Sequence, residues 1–263
     1  MSLNPPQKNW QGQVVWLIGA SSGIGRATAA ALHSRGAKVI VSARNTLALN
    51  EFASSHAGAV AVPLDVTDTD AVRIAAEHVI SEFAPTTILY SAGHYHEMAA
   101  QSFGLTDLKR HLQVNYVGLL NVLDSIVPYF LARAGRMPRE SGLHISLVGS
   151  VAGYSGLPKS LAYGPTKAAM ANLAETLYLD LRDAGVGVSL ICPGFVDTPL
   201  TAQNTFNMPA LISPDQAAQE ILTGWSRGEF EIHFPKRFTL WLKLLRILPY
   251  RLAFLATRRL TGG

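Results

Sequence analysis

The stretch from Gln13 to Gly25, QVVWLIGASSGIG, decides the fold. A run of β-branched and apolar residues enters Gly19-Ala20-Ser21-Ser22-Gly23-Ile24-Gly25 and leaves as a helical pattern, which reads as strand, tight turn and helix in succession. Glycines at these places let the backbone turn sharply, approach a pyrophosphate and aim helix N-terminal amides at it. The spacing is GxxxGxG rather than GxGxxG, and tight turns also use glycine for steric reasons. What favours the phosphate reading is position, at the first strand-to-helix turn of an alternating chain.

That alternation continues outward. Short apolar runs at 14–19, 38–42, 59–63, 87–91, 143–148 and 186–192 alternate with helical patterns at 23–34, 46–54, 68–83, 106–131 and 162–183. Near-continuous Val, Ile and Leu runs mean strands covered on both faces, joined by crossovers long enough to hold helices. The pattern predicts an α/β, Rossmann-like doubly wound parallel sheet in a single domain with a C-terminal helical tail. Residues 1–235 read as a dinucleotide-binding catalytic domain and 236–263 as a basic amphipathic appendage.

Composition supports one folded unit: 263 residues, 48% apolar and 15% charged, exclude a disordered or fibrous chain. The one cysteine, Cys192, cannot form an internal disulfide, and MSLNPPQKNW lacks the layout of a signal peptide, so a cytoplasmic protein is expected. All 18 acidic residues lie at or before Glu231, whereas seven of the 22 Lys and Arg lie in the last 28 residues. The body is therefore at −3 and the tail at +7, and the apolar residues between those cations favour a membrane over nucleic acid.

At the end of the second run, Val41-Ser42-Ala43-Arg44 puts alanine where a dinucleotide without a 2′-phosphate meets a carboxylate, and arginine next to it. A guanidinium pairs with a 2′-phosphate, so NADP(H) is the expected cofactor. Tyr163 and Lys167 lie four apart in a helical stretch, on one face, and Pro165 requires Tyr163 to sit in the first turn. The helix N-terminus and the ammonium are expected to lower the phenol pKa, making Tyr163 a proton donor near neutral pH.

These motifs, in this order from Gln13 to Pro199, resemble the short-chain dehydrogenase/reductase family. GASSGIG is similar to its cofactor loop, which implies cofactor contacts from Gly19, Ser21, Ser22, Gly23, Ile24 and Gly25, with Ile18 where members usually have threonine. Asp65-Val66 resembles the pattern that meets the adenine. Ser91-Ala92-Gly93 resembles Asn-Asn-Ala-Gly with Tyr90 and Ser91 in place of both asparagines, a departure that bears on one strand-stabilising hydrogen bond and not on the fold. The resemblance further implies that Ser150, thirteen residues before Tyr163, binds the substrate oxygen. It implies that Lys167 holds the nicotinamide ribose and that Asn115 anchors a water linking Lys167 to solvent. Pro193, Gly194 and Thr198 would then hold the nicotinamide amide face.

The implied reaction is hydride transfer between the nicotinamide and a ketone or secondary alcohol, by a homodimer or homotetramer. The competing class is a non-catalytic NADPH-binding scaffold or redox sensor on the same fold. His94, His96 and Glu97 show no third ligand at metal spacing, which predicts a loop near the substrate mouth and no metal. Tyr154 and Leu200 to Leu211 fall where the family places its variable substrate cover. In the tail, helical projection puts Lys236, Thr239, Lys243 and Arg246 on one stripe and Phe238, Trp241, Leu242, Leu245 and Leu248 on broader apolar ground. Such a helix either lies peripherally on an anionic leaflet, which would favour a lipid-like ketone or long-chain alcohol, or packs on its own domain or a second copy.

Overall fold

In the computed structural model, residues 2–136, 142–204 and 208–261 are described. Seven parallel strands, β1 (Val14–Ile18), β2 (Lys38–Ser42), β3 (Val60–Ala61), β4 (Thr87–Tyr90), β5 (His144–Val148), β6 (Gly187–Pro193) and β7 (Glu231–Phe234), form one sheet in the order β3-β2-β1-β4-β5-β6-β7. The helices are α1 (Gly23–His33), α2 (Thr46–Ser55), α3 (Thr69–Phe83), α4 (Leu105–Leu112), α5 (Gly118–Ala134), α6 (Tyr163–Leu181), α7 (Pro214–Arg227), α8 (Lys236–Ile247) and α9 (Tyr250–Thr261).

Side chains alternate across a strand, and β1 divides accordingly. Val15 and Leu17 join the core under α1, α2 and α7, while Trp16 and Ile18 join the core under α3, α5 and α6. Each such side chain, withdrawn fully from water, contributes roughly 1.5–3 kcal/mol before chain entropy is counted. Two buried indoles keep their N–H bonded: Trp16 Nε1 donates to Ser42 Oγ and Trp225 Nε1 to Ser146 Oγ, each at 2.8 Å. Strand order reverses beside β1, which pairs with β2 on one side and β4 on the other. Parallel sheets open a crevice at such a switch point, beyond the carboxyl ends of the strands.

The predicted helix at 106–131 is two helices, joined by a π turn at Gln113–Val117 that adds a residue to the spiral and re-aims Asn115. Two elements are additional to the sequence reading. The first, α7, carries ordinary boundary signals: Ser213 and Gln216 form a reciprocal capping box, Pro214 opens the helix, and Gly228 closes it at φ 64°. The second, β7, is only four residues long.

The C-terminal tail is bolted to the body through α8. Thr239, Leu242 and Leu245 are buried, Thr239 Oγ1 lies 2.6 Å from His233 Nδ1, and Lys243 Nζ lies 2.5 Å from Glu231 Oε2. This corrects the projected stripe: Thr239 and Lys243 belong to the packed side, and Trp241 faces outward, 67% exposed.

Candidate active site

Loops from the carboxyl ends of β1, β2, β4, β5 and β6 enclose a cleft of about 310 Å³. Gly19, Ser21, Ser22, Gly23 and Ile24 line it where β1 turns into α1. Gly19 adopts φ +91°, and a Cβ there would lie 2.3 Å from Ala92 N, so only glycine brings the turn this close to the β4 loop. Gly25 is not in the wall. It is buried behind it, where a Cβ would meet Gly19 O at 2.5 Å. Ser22 caps α1 without a side-chain bond and no acidic residue stands in the first turn, so helix amides and the positive end of the dipole are left for an anion. Arg44, exposed just past β2, adds a cation to the same cleft. A cradle of free amides, a guanidinium and two small hydroxyls fits the diphosphate and phosphate groups of a dinucleotide.

Asp65 and Val66 line the cleft beyond β3. Burial would raise the Asp65 pKa, but bonds from Thr67 N (3.0 Å) and Thr67 Oγ1 (2.8 Å), with the Arg44 charge, hold it below the usual carboxylate range. Ala92 and Gly93 continue the wall from β4. At the neighbouring departure from the family pattern, the Tyr90 hydroxyl donates to Val114 O at 2.7 Å and ties β4 to the π turn.

Ser150, Tyr163 and Lys167 meet at the other end of the cleft. Ser150 caps a single 3₁₀ turn, accepts from Ala152 N at 3.1 Å and hydrogen-bonds the Tyr163 phenol. Tyr163 is the first residue of α6, with Pro165 still in the first turn, and Lys167 follows one turn later. Lys167 Nζ lies 5.5 Å from the Tyr163 ring centroid and donates to Val148 O at 2.8 Å. Lys167 is buried and Tyr163 partly so. Burial pushes the Tyr163 phenol above its ordinary value despite the Ser150 hydrogen bond, and pulls Lys167 down to about 8. The expectation of a lowered phenol pKa is thus reversed, because desolvation outweighs the hydrogen bond. The neutral phenol that results is the form able to give a proton.

Asn115 is fully buried and outside the cleft wall. Its Nδ2 donates to His94 O and Thr166 Oγ1, each at 3.0 Å, and its Oδ1 accepts from His94 N at 2.6 Å. The side chain therefore locks the β4 loop to α6 next to Lys167. Pro193, Gly194 and Thr198 form the remaining wall, and Gly194 N donates to Phe234 O at 2.8 Å.

The fold adds two rings that local spacing does not reveal. Tyr95, in the loop after β4, meets Tyr163 edge-on at 5.0 Å, and His111, on α4, lies 6.5 Å from it. His111 carried one readable sign, its place four residues after Asp107 on an amphipathic helix.

Folding brings donor atoms of His94, Asp107 and His111 within 4.8 Å of one another. Hydrogen bonds already close this group: His94 Nε2 and His96 Nδ1 share the two Asp107 oxygens at 2.8 and 3.0 Å. His111 lies between Asp107 O and His96 N.

Tyr154 is not part of an open cover. It is buried, with its hydroxyl 2.5 Å from Glu231 Oε1 beneath α8. Cys192 is buried too, and burial drives its thiol up to about 12. Leu200 lines the cleft, while residues 205–207 of the expected cover lie outside the described residues.

The short chain dehydrogenase family profile matches residues 13–208. An oxidoreductase of Myxococcus xanthus (strain DK1622), named as uncharacterized, is 33% identical over 249 residues, 93% of this chain and 96% of the relative. The probable oxidoreductase EphD of Mycobacterium tuberculosis (strain ATCC 25618 / H37Rv) is 34% identical over 206 residues, 74% of this chain and 33% of that relative. In fold, the chain is similar to a short chain dehydrogenase of Burkholderia cenocepacia J2315 in complex with NADP, with a TM-score of 0.80 and 24% identity over 95% and 98% of the two chains. A Burkholderia phymatum short chain dehydrogenase/reductase in complex with NAD gives a TM-score of 0.80 and 23% identity over 90% and 94%.

Proposed function

Since the chain belongs to the short chain dehydrogenase family and is an NAD(P)-dependent oxidoreductase, we propose that it is an NADPH-dependent carbonyl reductase, interconverting a ketone and a secondary alcohol. The observation that carries this reading is the convergence of Ser150, Tyr163 and Lys167 at one end of a cleft whose other end is an anion cradle. When bound, the nicotinamide supplies or accepts the hydride at its C4.

The chain's own groups handle the oxygen. As charge grows on the carbonyl oxygen, the Ser150 hydroxyl and the Tyr163 phenol donate hydrogen bonds to it, and Tyr163 gives up its proton to complete the alcohol. The Lys167 ammonium, 5.5 Å from the Tyr163 ring, favours the phenolate left behind. Asn115 keeps the loop and α6 in register around them. Gly19, Ser21, Ser22, Gly23 and Ile24 would hold the diphosphate, Arg44 the 2′-phosphate, Asp65 and Val66 the adenine end. Ala92, Gly93, Pro193, Gly194 and Thr198 would hold the remainder. The cofactor is read as NADPH because Arg44 is the charged group following β2, where a carboxylate would repel the extra phosphate.

By the family's habit we read the assembly as a homodimer or homotetramer, which light scattering measures, and its location as cytoplasmic. NADPH consumption across a panel of ketones and aldehydes tests the catalytic reading against a scaffold or sensor. Oxidation of NADPH that depends on the added carbonyl supports it, and tight NADPH binding without turnover on any of them counts for the scaffold.

A further inference from the structure

We propose that the outward faces of α8 and α9 form a docking surface for an anionic bilayer leaflet. Eight large apolar side chains stand exposed within sixteen residues: Leu240, Trp241, Leu244 and Ile247 on α8, then Tyr250, Leu252, Phe254 and Leu255 at or in α9. Elsewhere among the described residues, exposed large apolar side chains are spread thinly over the whole body. Concentration of this kind marks a surface that another phase or molecule covers.

Charge identifies the occupant. Lys236, Arg237, Arg246, Arg251, Arg258 and Arg259 are exposed, and none is paired with a carboxylate among the described residues. The one tail cation that is paired, Lys243, uses Glu231, the last acidic residue of the chain. A second copy of this chain would bring the same six cations against themselves, whereas an anionic leaflet neutralises them while its acyl region takes the apolar side chains.

The geometry is peripheral. Each helix has 12 residues, about 18 Å at the usual rise, well short of a hydrocarbon core of about 30 Å. The break at Leu248-Pro249 keeps the two from forming one longer rod. The docked surface is also rigidly joined to the cleft. Phe238 of α8 packs under Gly194, where an added Cβ would lie 2.9 Å from its ring, and Lys243 reaches Tyr154 through Glu231.

Trp10, Trp16 and Trp225 are buried, so Trp241 is the one exposed tryptophan and its emission reports on this face. The full-length protein is mixed with vesicles of phosphatidylcholine alone or with phosphatidylglycerol, and sedimentation and tryptophan emission are followed. The bound fraction is expected to rise with phosphatidylglycerol content, fall with added salt and carry a blue shift. Replacing both Arg246→Gln and Arg251→Gln weakens partitioning about fivefold per arginine. The pair Leu244→Glu and Ile247→Glu, at exposed positions, abolishes it while circular dichroism stays unchanged. Absence of vesicle binding, binding indifferent to phosphatidylglycerol and salt, or undiminished binding of the glutamate pair each overturns the proposal. So does an oligomer that the glutamate pair converts to a smaller species while vesicles capture nothing, since a second copy then covers the face.

Discussion

Lys167 is drawn down to about 8 by burial, and this sets a testable limb on the pH profile. Its charged form is the one that favours a Tyr163 phenolate, so kcat/KM for carbonyl reduction is predicted to fall above about pH 8, tenfold per unit, as the ammonium is lost. In Lys167→Arg the residual activity lacks that limb, because a guanidinium stays charged. An unchanged limb in the arginine variant assigns it to another group. Arg44 carries a separate prediction: Arg44→Asp shifts preference from NADPH toward NADH by at least about tenfold, the equivalent of one lost charge-assisted pair plus a new repulsion. Equal titration curves for both dinucleotides in the two proteins would refute the assignment of Arg44. Tyr163 and Lys167 were legible because their spacing is local and a helix converts spacing into facing, whereas Ser150, outside α6, was reached only through the family resemblance. Tyr95 and His111 were not, since the loop and the helix that bring them to the phenol take a path that depends on the completed sheet. The direction of the Tyr163 pKa shift was misread for a related reason: burial belongs to the folded whole and cannot be taken from helix position alone.

Among the elements, α7 went unread because it lacks a long apolar run, although its capping box and closing glycine are ordinary boundary signals. Four-residue β7 was not legible, because so short a stretch carries too little alternation to separate it from a loop. The π turn at Gln113–Val117 has no sequence signature of its own and is recognised by its backbone, where Gly118 N–H reaches Gln113 O. The join between β7 and α8 yields a prediction about stability. Glu231 is held from both sides, by Tyr154 and Lys243, so Lys243→Met leaves a half-buried carboxylate with one partner fewer. A loss of about 1–3 kcal/mol is expected, seen calorimetrically as a Tm lower by roughly 2–4 °C per kcal/mol. A Tm within experimental error of the parent would mean that the pair contributes nothing to the docking of α8.

For the whole molecule, the alternation of strand and helix fixed the architecture from the sequence, and the seven-stranded sheet follows it. The tail was harder. Amphipathic projection separates two faces but does not say which of them the body covers, and here Thr239 and Lys243 find His233 and Glu231 while Trp241 is turned out. Global stability also has a buried titrating group. His144 is fully enclosed, 3.0 Å from Ser189 Oγ, and burial holds its pKa at about 3 against an ordinary 6.5. The folded chain keeps it neutral where the unfolded chain is protonated, so stability falls as pH drops from about 6.5 toward 3, by a few kcal/mol across the window. In His144→Gln the denaturation midpoint is predicted to depend less steeply on pH over that range, and an identical slope would exclude His144 as the cause.

Whether the neutral Tyr163 phenol at the start of α6 hands its proton to a carbonyl oxygen is decided by Tyr163→Phe, with turnover and cofactor affinity measured on one preparation. In that variant kcat is expected to fall by about 10²–10⁴ while the dissociation constant for NADPH stays within a few-fold of the parent. Turnover close to the parent's, with the cofactor bound as before, would contradict this role of Tyr163.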